Sequence, residues 1–151
     1  MKILVLGNIC SGKTSFSKLL AEKYEITLYH LDAEFWKEGW IMPNKEDWEK
    51  RIQYITEEKY WIMDGNYPAS LDHRVEHASH IFYIRANKYK CLYRYLRRII
   101  IKKRKPGSDI PYGCSDTFSI RNIKSIWSYE KKIEHDIIGK ISNHPNVKFI
   151  D

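Results

Sequence analysis

The run Gly7-Asn8-Ile9-Cys10-Ser11-Gly12-Lys13-Thr14 constrains this chain more than any other feature. It satisfies the spacing G-x-x-x-x-G-K-[ST], which gathers backbone N–H groups, one ammonium and one hydroxyl around a polyphosphate. Glycine lets the backbone curl until several N–H groups point at one anion. A helix opening directly after the loop adds its positive end. That context is met. Lys2–Leu6 is a short, almost wholly apolar run of the kind that forms a strand buried on both faces. Thr14–Lys23 carries Phe16, Leu19 and Leu20 at helical spacing. The pattern therefore assigns Gly7, Asn8, Ile9, Cys10, Ser11, Gly12, Lys13, Thr14 and Ser15 to the phosphates of ATP. Lys13 is expected at the β- and γ-phosphates and Thr14 on Mg²⁺. Cys10 is expected to fill space under the loop.

Downstream, β-rich runs keep alternating with helical ones. Ile26–Leu31, Tyr60–Met63, His80–Ile84 and Asn146–Ile150 read as further strands. Asn44 reads as an N-cap for a helix to about Glu58, with Trp48, Ile52 and Ile55 on one face. Lys88–Lys103 reads as a basic helix with Leu92, Leu96 and Ile99 as its apolar stripe. Pro106-Gly107 and Pro111-Tyr112-Gly113 break the chain into a loop. A long helix follows to about Ile138, with Gly139 as its stop. Strands alternating with helices predict an α/β fold: three layers around a five-stranded, mainly parallel sheet, with ligands at the carboxyl ends of the strands. The whole of 1–151 is expected to form one domain.

With 151 residues the chain can bury a core without staples. No apolar run approaches the ~18 residues of a membrane span. The three cysteines, Cys10, Cys91 and Cys114, form no CxxC pair, and a reducing cytoplasmic setting is expected. The net charge of +7 favours anionic partners. Much of it is concentrated, because Lys88–Lys105 holds nine Lys or Arg and no Asp or Glu.

Two features separate this chain from guanine-nucleotide switches. Asn87-Lys88-Tyr89-Lys90 has lysine where a guanine-reading N-K-x-D pattern needs its carboxylate. Asp64, at the end of the third predicted strand, stands where a carboxylate can hold Mg²⁺ opposite the phosphate loop; the alternative is a turn-forming Asp-Gly. The basic helix, the broken loop and the next helix have the layout of a lid closing over phosphates, approximately 104–121. Arg94, Arg97 and Arg98 share one face of that helix.

The phosphate loop, His30-Leu31-Asp32, Phe35-Trp36, Gly39-Trp40, Trp61-Ile62-Met63-Asp64-Gly65-Asn66-Tyr67 and Gly113-Cys114 together resemble the DNA-topology-modulation-protein (FlaR-like) family. This is an adenylate-kinase-like group of P-loop NTPases, and the resemblance covers nearly the whole chain. It implies an adenylate-kinase-like fold with a small helical lid and phosphate transfer from ATP·Mg²⁺ to a small acceptor (a nucleotide, a nucleoside or another hydroxyl compound). It implies Asp32 as the group that orients or deprotonates the acceptor hydroxyl. Arg94 and Arg98 are implied as phosphate contacts, with Lys13 beside them. Gly113-Cys114 would mark the lid tip, and Arg121 is a further lid candidate. Asn66-Tyr67-Pro68-Ala69 lacks the arginine that follows the equivalent Asp-Gly in adenylate kinases. Relatives continue past the fifth strand into another helix, so the resemblance also implies that base contacts are partly missing here.

Several residues keep two readings. Trp36, Trp40 and Trp48 either wall an acceptor pocket or pack the core. Arg74 holds an acceptor phosphate, pairs with a carboxylate, or is solvated. Glu34 is a weaker acceptor-side carboxylate, and His30 reads as a packed strand residue. Lys102–Lys105 is a solvated face or a nucleic-acid contact. The rival reading of the whole is a nucleotide-regulated nucleic-acid-binding protein affecting DNA topology, motivated by the basic segment interleaved with Tyr89, Tyr93 and Tyr95.

Overall fold

The computed structural model describes residues 1–101 and 110–151. Five strands form one sheet: β1 (Lys2–Gly7), β2 (Leu28–His30), β3 (Trp61–Asp64), β4 (His80–Ile84) and β5 (Val147–Ile150), in the order β2-β3-β1-β4-β5. Every neighbouring pair is parallel, so the mainly parallel sheet expected from the sequence is wholly so. β2 is shorter than the apolar run suggested, because Leu31 and Asp32 already belong to a short helix, α2 (Leu31–Phe35).

Alternation along the strands builds the layers. Leu4, Leu6, Trp61, Met63, Ile81 and Tyr83 face one side. There they meet α3 (Lys45–Glu57), α4 (Leu71–His77) and α7 (His135–Ile141) through Ile52, Ile55, Leu71, Ile137 and Ile141. Ile3, Val5, Ile62 and Ile84 face the other side, against Phe16, Leu20 and Ala21 of α1 (Lys13–Tyr24). Burial of apolar surface on both faces explains why β1 and β3 read as unbroken hydrophobic runs.

The Asn44 side chain accepts from Asp47 N at 2.7 Å, as its N-cap reading requires. The basic helix is α5 (Lys88–Ile101). It buries Cys91 and Tyr95, with Leu92 and Ile99 beside them, while Leu96 is 37 % exposed. The apolar stripe thus lies one step round from Leu92, Leu96 and Ile99, where aromatic and thiol side chains were not counted. The helix predicted to stop at Gly139 runs on to Ile141: α6 (Ile120–Tyr129) passes through a π-turn at Glu130–Glu134 into α7. Gly139 is inside it. Of the expected lid, 104–109 lies outside the described residues, 110–119 holds no helix, and Ile120 and Arg121 open α6. Lys102–Lys105 also lies outside them.

Candidate active site

β1 delivers the loop Gly7–Gly12 at the carboxyl edge of the sheet, and α1 begins at Lys13. Gly7 (φ 144°) and Gly12 (φ 116°) adopt the left-handed backbone that glycine tolerates. A Cβ on Gly7 would lie 2.4 Å from the carbonyl oxygen of Ile84. Asn8 fixes the turn: Ile9 N donates to its Oδ1 (2.7 Å), Ser11 N to its carbonyl (3.1 Å), and its Nδ2 donates to Ile126 O (3.2 Å). α1 opens without a side-chain cap, so the N–H groups of its first turn, Thr14 and Ser15 among them, have no intrahelical acceptor. Lys13 Nζ spans the loop, donating to Gly7 O (3.0 Å) and Asn8 O (2.8 Å). Ser11 Oγ is buried with no hydrogen-bond partner among the described residues. Curled backbone, uncapped helix, lysine and orphaned hydroxyl fit the phosphates of a nucleotide.

Asp64 ends β3, paired in register with Val5 of β1 and only 6 % exposed. His30 Nδ1 lies 3.1 Å from Asp64 Oδ2, so the ring donates and the carboxylate is held in place. Two residues on, Asn66 clamps the loop. Gly7 N donates to its Oδ1 (3.1 Å), and its Nδ2 donates to Gly7 O (2.8 Å) and to the Tyr129 hydroxyl (3.3 Å). The Tyr83 hydroxyl sits between Tyr129 (3.3 Å) and Glu134 (3.0 Å). Burial pushes both phenols up, Tyr129 to about 12, so they keep their protons at neutral pH. The π-turn thus sits in a polar chain that runs back to the first glycine of the loop.

Asp32 stands in the first turn of α2, and its Oδ1 accepts from the Tyr67 hydroxyl at 2.8 Å. Tyr67 (φ 37°) also stacks on Phe35 and Trp48, with ring centroids 4.8 and 5.3 Å apart. Trp48 is buried and belongs to the core. Trp36 meets Trp40 edge-on at 5.8 Å, and both are at least partly exposed. Glu34 is held by Arg51 at 2.7 Å.

The arginines divide by role. Arg94 Nη1 donates to Ser11 O (2.7 Å) and approaches Cys10 O (3.4 Å), so α5 braces the phosphate loop directly. Arg98 grips Asp116, with Nε 2.7 Å from Oδ2 and Nη2 3.1 Å from Oδ1. Arg121 is exposed and lines a cleft of about 450 Å³ with Lys124, Ser125, Ser128 and Lys132. Arg74 is not solvated, and among the described residues no carboxylate pairs with it. It is fully buried and donates to the carbonyls of Gly65, Asn66, Tyr67 and Ser70. Burial pulls its pKa down to about 9, which still leaves a cation at neutral pH.

The segment at 113–115 docks on the loop after α2. Trp40 N donates to Cys114 Sγ (3.4 Å), Trp40 Nε1 to Ser115 O (3.2 Å), and Cys114 Sγ to Lys37 O (3.5 Å). Gly113 (φ 71°) packs against Glu38, whose Cγ would lie 2.2 Å from an added Cβ. Three contacts here were not legible in the sequence: Asn66 on Gly7, His30 on Asp64, and Tyr67 on Asp32. The only signal was proximity to the two aspartates in the H-L-D and D-G-N-Y segments.

No protein-family model matches the chain, and no curated protein matches it. Among solved structures it is similar to shikimate kinase from Aquifex aeolicus (14% identity, TM-score 0.56, covering 99% of this chain and 85% of that one). It is also similar to deoxyadenosine kinase from M. mycoides with bound dATP (13% identity, TM-score 0.56, 100% and 91% covered). A second structure of the latter, with dCMP and dCDP, matches at 11% identity and TM-score 0.52, covering 100% and 90%. At such identities the likeness concerns the fold. The chain has the α/β fold of P-loop kinases.

Proposed function

We propose that the chain is an ATP-dependent phosphotransferase that moves the γ-phosphate of ATP to a small hydroxyl-bearing acceptor, in the manner its resemblance to the FlaR-like group implies. The observation that carries this is the clamp between Asn66 and Gly7. It ties the strand-end carboxylate Asp64 to a phosphate loop across which Lys13 already lies.

Residues of the loop and the first turn of α1 bind and orient the triphosphate through backbone N–H groups. Lys13 neutralises charge on the β- and γ-phosphates. Thr14 and Asp64 would hold Mg²⁺, which when bound draws charge from the transferring phosphate. Arg94 rigidifies the loop from behind, and Arg98 reaches phosphate only by leaving Asp116. Asp32 receives or orients the acceptor hydroxyl, kept in position by Tyr67. Trp36 and Trp40 supply flat apolar surface beside it. Arg74 is committed to backbone carbonyls, so the acceptor-side loop has no guanidinium of its own to offer. This favours a nucleoside or another unphosphorylated hydroxyl compound over a nucleoside monophosphate. Among the described residues no helix is long and apolar enough to cross a membrane.

The test is phosphate transfer from labelled ATP, with Mg²⁺ and with chelator, across nucleosides, nucleoside monophosphates, sugars and other small alcohols. A metal-dependent labelled product supports the reading and names the acceptor class. ATP binding without any transfer, together with salt-steep DNA binding, would replace it with the nucleic-acid reading.

A further inference from the structure

A second chemical site lies away from the phosphate loop, on α4. His73, Glu76 and His77 stand at i, i+3 and i+4, which puts them on one helix face. One donor atom from each lies within 4.8 Å of the other two. The imidazoles lie nearly one on the other, with centroids 4.3 Å apart and planes tilted by 38°.

Their hydrogen bonds determine which nitrogens carry protons. Thr56 Oγ1 points its single proton at the Ile52 and Gln53 carbonyls (3.0 and 2.9 Å). With that proton on the carbonyls, Thr56 Oγ1 accepts from His73 Nε2, 3.0 Å away. In this arrangement His73 carries its proton on Nε2 and presents the Nδ1 lone pair. His77 Nδ1 lies 2.8 Å from the His73 carbonyl, which can only accept, so Nδ1 is protonated and the Nε2 lone pair is bare. Each ring spends one nitrogen on an outer partner and leaves the other as a ligand, the arrangement that orients metal-binding histidines.

We propose that His73 Nδ1, His77 Nε2 and a Glu76 carboxylate oxygen bind one zinc-class divalent ion, with water completing the coordination. Two imidazoles and a carboxylate suit zinc. Arg74, between them in sequence, commits its guanidinium to the carbonyls of Gly65 and Ser70. Close by, Lys2 Nζ donates to the Thr56 carbonyl at 2.6 Å. That contact also places the site toward the amino ends of the strands, opposite the phosphate loop. The ion would pin α4, which carries Arg74, against α3 through Thr56. Its role is then to stabilise the loop that presents Asn66 and Tyr67, without touching nucleotide.

The experiment is titration of the purified full chain with Zn²⁺ by calorimetry, with Co²⁺ absorption as the spectroscopic readout and melting temperature as the second. One ion per chain is expected, with a rise in melting temperature. His77→Ala should weaken binding at least ~100-fold, and Glu76→Gln and Thr56→Val each ~10-fold, while His135→Ala leaves it unchanged. Folding of each variant is checked by circular dichroism, and ATP binding by His77→Ala should match the parent. No stoichiometric binding, or binding that survives both His77→Ala and Glu76→Gln, would overturn the proposal.

Discussion

The phosphate-loop end and the proposed acceptor end of the candidate site are built by opposite means. The loop is mostly backbone: two glycines, an uncapped helix and a lysine, all within eight residues. The acceptor end is mostly side chain, drawn from α2, the turn after β3, α3 and the segment at 113–115. One local motif encodes the first. The second exists only once the chain has folded. Lys13 apart, a backbone site resists side-chain truncation but not an added Cβ, whereas a side-chain site responds the other way.

Four substitutions and one titration test that contrast, starting with the greatest effect. Arg74→Met should destabilise the fold by about 3–4 kcal/mol in urea unfolding, because the carbonyls of Gly65, Asn66, Tyr67 and Ser70 lose a buried charged donor. A change below ~1 kcal/mol would show that the acceptor loop holds itself. Gly7→Ala, which adds one carbon, should cost about 2–3 kcal/mol and abolish nucleotide binding, since its Cβ meets Ile84 O at φ 144°. Arg98→Met should cost about 1–2 kcal/mol by stranding the buried Asp116. Arg94→Met should cost less stability and more turnover; equal effects would erase the distinction drawn between the two.

The smallest effect is in acid. The lowered His73 pKa means the unfolded chain binds the proton more readily below the ordinary histidine value. Stability from this ring is therefore fully present above pH ~6.5 and is lost as pH falls through the depressed folded value. Replacing His73 with Gln should flatten the acid limb of a stability–pH curve.

The sequence made the sheet legible because the runs Lys2–Leu6 and His80–Ile84 are buried on both faces, and made the loop legible because its physics is local. It did not reveal α2 or α4. Leu31–Phe35 and Leu71–His77 are too short for a helical period to show, and both helices exist because aromatic and arginine contacts hold them. Arg74 was ambiguous for the same reason. Only tertiary structure shows that it faces four carbonyls instead of a ligand. Asp32 and Asp64 could be singled out from the sequence, but their hydrogen-bond partners Tyr67 and His30 could not, because a hydrogen bond across 34 or 35 residues leaves no spacing signature.

The central claim is that the two ends of one site are separable, donor from acceptor. It is tested most directly by measuring ATP affinity and phosphate transfer side by side in Lys13→Ala and Asp32→Asn. The account predicts that Lys13→Ala weakens ATP binding and lowers transfer by roughly a thousandfold, in line with the loss of a principal charge stabiliser. Asp32→Asn should keep parental ATP affinity and lose transfer. Transfer that persists in Lys13→Ala, or an ATP affinity that falls equally in both variants, would contradict it.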